Sequence, residues 1–152
     1  ICRPIIQAMG RKEGYGLVGG PGAGHYVKMT HNGIEYGMMQ AIAEGFDLLQ
    51  QGSMQDLDLK GIAHIWNQGT IISSFLMQMT EQALDKDLSF RPYVEDSGEG
   101  KWAAEEALRH AVPFVTNTYA LHARFASRDE NSFALRLLAA MREQFGGHQT
   151  KR

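Results

Sequence analysis

From about Ala23 to Gln51 the sequence keeps helical spacing for roughly 28 residues, until the Gly52-Ser53 pair ends it. A helix of that length runs about 42 Å, so the rest of a small chain must pack around it. Further helical segments fit residues 58–67, 71–86, 100–111, 114–127 and 131–145. They are separated by DKDLSFRPYVEDSGEG, by Val112-Pro113 and by RDEN, and Asp56 and Asp58 have the chemistry of caps for the 58–67 helix. Residues 3–9 fit a short helix with Pro4 in its first turn. The YGLVGG stretch is strand-like but too short to form a sheet by itself, and no period-two run follows residue 20. The expected fold class is therefore all-α. A helical domain, residues 21–152, is built on one long central helix, and residues 1–20 are a scrap of something else.

The long helix carries an unusual face. Lys28, His31, Asn32, Glu35 and Tyr36 occupy positions that a core-facing helix normally gives to leucine and valine. At about 100° per residue all five fall within an arc of about 140°. Farther along, the same face becomes Ile42, Phe46 and Leu49, which is ordinary core. Leaving five polar groups buried and unsatisfied would cost several kcal/mol, so the polar half must line a cavity or an interface. A satisfied polar network and an active site both fit this spacing.

Lys28 and Glu35 are the pair that suggests catalysis. A lysine acts as a general base only when neutral, which needs desolvation or a nearby cation. A glutamate acts as a general acid near neutral pH only when its proton is held more tightly than usual. Two turns, about 10 Å, separate them, room for a small substrate whose hydroxyls His31 and Asn32 would position.

Outside this stripe the signals are weaker. GGPGAG (residues 19–24) has glycines but no following Lys-Ser/Thr, so it is no P-loop. Helices follow it, against a dinucleotide fingerprint. Gly20 and Gly22 suit a sharp domain junction, and Gly24 suits close approach of a ligand to the helix start. Lys101 opens a helix after a flexible loop, and Arg124 lies on the next helix; together they could hold a phosphate, although either alone reads as a solvated surface charge. Arg142 and His148 flank a Gly-Gly turn in a tail of the kind that usually frays. His25, His64, His110 and His122 show no metal-ligand spacing, and Ser73 and Ser74 have no triad partners. The methionines at 29, 38, 39, 77 and 79 read as packing, and Trp66 and Trp102 as core anchors.

Composition narrows the partners. A net charge of −2 argues against nucleic acid or an anionic membrane as the main partner. The single cysteine, Cys2, excludes an internal disulfide framework and suits a cytosolic, cytoplasmic setting. No apolar run approaches the roughly 18 residues of a membrane span. The chain starts at Ile1 and reads as a fragment of something longer.

Taken together these pieces resemble a known family. GAGHYVKMTHNGIEYGMMQ (22–40) is similar to the signature helix of the decarboxylating 6-phosphogluconate dehydrogenases. IWNQGTIISSFL (65–76), DSGEGKWAAEEAL (96–108), VPFVTNTYALHARFASR (112–128) and REQFGGH (142–148) follow in the family's order. The likeness covers nearly the whole chain and fits the shorter-chain branch, which lacks a second helical repeat.

The resemblance implies a role for each matching position. Lys28 would be the general base on the substrate 3-hydroxyl, and Glu35 the general acid that protonates C1 of the enediol to give ribulose 5-phosphate. His31 and Asn32 would bind substrate hydroxyls, with Asn32 also placing the nicotinamide. Tyr36, Lys101 and Arg124 would hold the phosphate, and Arg142 and His148 would reach a neighbouring subunit's site in a homodimer or larger homo-oligomer. The cofactor would be NAD or NADP, held mainly by a preceding Rossmann-type domain of which residues 1–20 are the end; the mechanism needs no metal. Ala103 stands where longer members have a phosphate-touching Thr. Two alternatives stay open. A related 3-hydroxyacid dehydrogenase shares the pattern of Gly22, Gly24, Lys28 and Asn32, without His31, Glu35-Tyr36 and the REQFGGH tail together. The other is a helical oligomerisation module with no activity of its own.

Overall fold

The computed structural model describes residues 2–146, and His148 lies outside them. Among the described residues there are seven helices and no strand: α1 (Arg3–Met9), α2 (Ala23–Gln51), α3 (Leu59–Trp66), α4 (Phe75–Ala83), α5 (Glu99–Arg109), α6 (Val115–Ala126) and α7 (Phe133–Gly146). The all-α expectation holds. Among the described residues YGLVGG forms no ladder, as so short a segment must without a neighbouring strand. The central helix starts and stops where the pattern predicts. Its N-cap, Gly22, has φ +89°, a left-handed conformation that suits glycine at this turn.

One predicted segment, 71–86, shortens at both ends, to Phe75–Ala83. The segment expected to start at 71 becomes helical only at Phe75, because Ser74 caps it by accepting from the Met77 N–H at 3.1 Å. Asn67 Oδ1 in turn holds the Ser74 N–H at 3.0 Å. Asp58 caps α3 in the expected way, accepting from the Gly61 N–H at 2.9 Å.

Two small cores sit at opposite ends of α2. At its C-terminal end Phe46, Ala63 and Met77 are buried, with Ile42, Leu49, Ile62 and Trp66 around them. Phe46 and Trp66 meet edge to face with centroids 5.5 Å apart, and His64 Nδ1 lies 3.0 Å from Glu81 Oε1, tying α3 to α4. At the N-terminal end α2 packs on α5 and α6, burying Tyr36, Ala104, Ala120 and Leu121 against Phe114. This second contact is close because small residues face it: Gly33, Gly37, Gly100, Ala103 and Ala107 are all buried. A Cβ on Gly100 would run into the Tyr36 ring, and one on Gly37 into the Asn117 amide.

Trp102 is no core anchor. It is 53% exposed, because α5 turns its alanine face to α2 and leaves the indole outside, over Gly98. Met77 is fully buried, but Met38 and Met39 are partly exposed on α2. Among the described residues neither α1 nor α7 packs against another helix, and α7 leaves Phe133, Leu135, Leu138 and Met141 at least half exposed.

Candidate active site

The five groups of the polar stripe lie on the first half of α2 and divide into two ends. At the N-terminal end Lys28 Nζ donates to Asn32 Oδ1 at 2.6 Å and lies 3.4 Å from His31 Nδ1. His31 Nδ1 is also 3.1 Å from Asn32 Oδ1 and 3.9 Å from Glu35 Oε2. Helical spacing makes this chain of contacts possible, since residues three and four apart share a face. Lys28 and His31 are exposed, and Asn32 and Glu35 are half-buried. This end of the stripe therefore faces outward as an open surface.

Beside it runs a groove of about 690 Å³ between α2 and the start of α4. Val27, Ile34, Met38 and Phe75 give it apolar walls, and His31 and Glu35 form its polar edge. Of the acid-base pair suggested by the sequence, Glu35 thus borders a cleft of small-ligand size, and Lys28 reaches its edge through His31.

At the other end Tyr36 is 5% exposed, seated between α5 and α6. Its phenol oxygen accepts from the Ser97 N–H at 3.1 Å and lies 3.4 Å from Ser97 Oγ. The Ser97 hydroxyl in turn donates to Glu99 Oε2. Arg124 lays its guanidinium over the Tyr36 ring, 3.7 Å from the centroid, and its Nη1 donates to the Glu95 carbonyl at 2.8 Å. The same loop is fixed at two more points. Arg128 Nη2 donates to Asp96 Oδ2 at 2.5 Å, and the Val94 N–H donates to Ser127 Oγ at 2.9 Å.

These contacts act on the charges. The Arg128 hydrogen bond, more than any other cause, holds the Asp96 carboxyl below the usual range. Glu99 is also held low, chiefly by the Ser97 hydroxyl, then by its own backbone N–H, with the positive charge of Lys28 adding to the effect. Glu99 is therefore a carboxylate that lies within electrostatic reach of the lysine on α2.

The structure brings Lys28, His31, Asn32 and Glu35 onto one face, and Tyr36 and Arg124 together at its far end. Lys101 is exposed on α5, with its Nζ 3.9 Å from Glu105 Oε1. Arg142 is exposed on α7, which does not pack against α2. Sequence reasoning passed over Ser97, Glu99 and Arg128. A hydroxyl and a carboxyl two residues apart just before a helix was the available signal, since such pairs bind each other and the first turn. Among the described residues no three His, Cys, Asp or Glu side chains group as metal ligands, and no helix is long and apolar enough to cross a membrane.

Fold and stripe together define a helical domain that presents acid-base and hydrogen-bonding groups on one open helix face. Residues 24–133 match the family model described as 6-phosphogluconate dehydrogenase, C-terminal domain. The chain belongs to the 6-phosphogluconate dehydrogenase family. It is 41% identical to YqeC of Bacillus subtilis over its whole length, covering 52% of that protein. It is 40% identical, over 98% of the chain and 51% of the relative, to a Haloferax volcanii protein named 6-phosphogluconate dehydrogenase, NAD(+)-dependent, decarboxylating. To the decarboxylating 6-phosphogluconate dehydrogenase of Lactococcus lactis subsp. lactis it is 39% identical, over 95% of the chain and 38% of that enzyme. The chain thus spans about half the length of the first two of these relatives.

Proposed function

We propose that this chain is the substrate-binding and subunit-pairing part of a decarboxylating 6-phosphogluconate dehydrogenase. The observation that carries the reading is the Lys28–His31–Asn32–Glu35 array beside an open cleft, in a chain that belongs to this family. Lys28 takes the proton from the substrate 3-hydroxyl as C3 is oxidised to a ketone. The 3-keto acid then breaks its C1–C2 bond and releases CO2. Glu35 gives a proton to C1 of the resulting enediol, which becomes ribulose 5-phosphate. His31 and Asn32 hold hydroxyls, so the reacting carbons stay in line with both groups. Tyr36, Lys101 and Arg124 hold the phosphate, for which a planar guanidinium is well suited.

The donor set fits a nicotinamide: the Asn32 amide can pair with a carboxamide, and the neighbouring groove has apolar walls. When bound, that ring supplies the hydride acceptor. The rest of the dinucleotide, NAD or NADP, is held mainly by a Rossmann-type domain of which residues 1–20 are the end. The exposure of Lys28 supports the same picture. A base that must be neutral needs a drier setting, which that domain and a second subunit would supply by closing over α2. The apolar face of α7, exposed among the described residues, supports pairing of two copies, with Arg142 and His148 entering the neighbour's site.

A substrate panel on the intact protein tests the reading. 6-Phosphogluconate should be oxidised with release of CO2 and ribulose 5-phosphate, whereas turnover of unphosphorylated 3-hydroxyacids alone would refute it. Mixing Arg142→Ala subunits with Lys28→Met subunits should restore activity through hybrid sites. No recovery after subunit exchange would remove the shared tail.

A further inference from the structure

The end of the site assigned to phosphate contains a carboxylate. Glu99 is half-buried in the first turn of α5, bonded to the Ser97 hydroxyl, and Ser97 itself is bonded through its N–H to the Tyr36 phenol. One serine thus separates the carboxylate from the aromatic ring on which Arg124 is stacked. The cations nearby already have partners. Arg124 Nη1 is on the Glu95 carbonyl, Arg128 is on Asp96, and Lys101 faces Glu105. A group of nearly two negative charges arriving at Arg124 meets a carboxylate held there through Ser97 and Tyr36.

We propose that Glu99, aimed by Ser97, is a specificity-determining residue that weakens the preference of this site for a phosphorylated over an unphosphorylated sugar acid. The inference rests on the reading of the Tyr36–Arg124 end as the place of the substrate's phosphate. The physical reason is plain repulsion at a solvated surface. A unit charge near the phosphate opposes it, while an uncharged hydroxyl at the same place can donate to the carboxylate. Ionisation of Glu99 near neutral pH follows from the groups that stabilise its charge.

Titrating the intact protein with 6-phosphogluconate and with gluconate, followed by NMR, tests this. Glu99→Gln keeps the size and removes the charge, and should tighten 6-phosphogluconate by about five-fold, the effect of one unit charge a few ångströms away in a wet site. Gluconate should not gain, and the gain for 6-phosphogluconate should shrink as salt is added. Glu99→Asp keeps the charge and should behave like the natural chain. A purely structural role would move both ligands together. Unchanged or weaker 6-phosphogluconate binding in Glu99→Gln, or an equal gain for gluconate, overturns the inference alone. If neither ligand binds the natural chain or Glu99→Gln, the reading of the site falls and the inference with it.

Discussion

Arg124 lies flat on Tyr36, its guanidinium carbon 3.7 Å from the ring centroid, although the two residues are 88 positions apart in the chain. The stack joins the polar stripe of α2 to α6, and Arg124 reaches on to the Glu95 carbonyl. One side chain therefore fixes a ring, a loop and a positive charge at the same place.

Arg124→Lys should separate these roles. A lysine keeps the charge but loses the planar stack and the fork of donors. We expect a stability loss of about 0.5–1 kcal/mol, read by denaturant unfolding. 6-Phosphogluconate should also bind about ten-fold more weakly, as expected when a bidentate contact of about 1.5 kcal/mol is lost. Equal binding in titration would mean that only the charge matters.

Gly100→Ala should unseat Tyr36. The added Cβ meets the phenol ring, and both the ring and the Gly100 backbone are buried. Overpacking of this kind costs about 1–3 kcal/mol. Thermal unfolding should report the loss, and the NMR signals of Ser97 should shift because its N–H bonds the displaced phenol. An unchanged Tm would show that α5 moves aside at little cost.

The long helix, its end at Gly52 and the Asp58 cap were all legible, because spacing and cap chemistry are local properties. The stripe from Lys28 to Tyr36 was legible for the same reason, as five polar groups where core was due. Trp102 misled, since which face of α5 turns inward is set by the glycines and alanines it meets on α2, not by its largest residue. Glu99 sits in a loop motif beside the more conspicuous Lys101. Its direction depends on Ser97 and Tyr36, and a contact across 61 positions leaves no periodic trace.

The Arg128–Asp96 pair should make the 94–98 loop acid-sensitive. Folding lowers the Asp96 pKa, so the pair's contribution is complete above the unfolded carboxylate value, about pH 4. It is lost as pH falls through the lower folded-state value. Asp96→Asn should therefore be less stable at neutral pH and lose less stability on acidification than the natural chain. Unfolding curves taken from neutral pH to about pH 3 check this, and parallel losses in the two proteins would contradict it.

If the α2 stripe performs the acid-base chemistry, Lys28 is the base on which hydride transfer depends. Single-turnover hydride transfer in the intact protein carrying Lys28→Met tests it most directly. 6-Phosphogluconate should still bind, but reduction of the nicotinamide should fall by at least about a hundred-fold, the usual contribution of a general base. A variant that transfers hydride at close to the natural rate would contradict it.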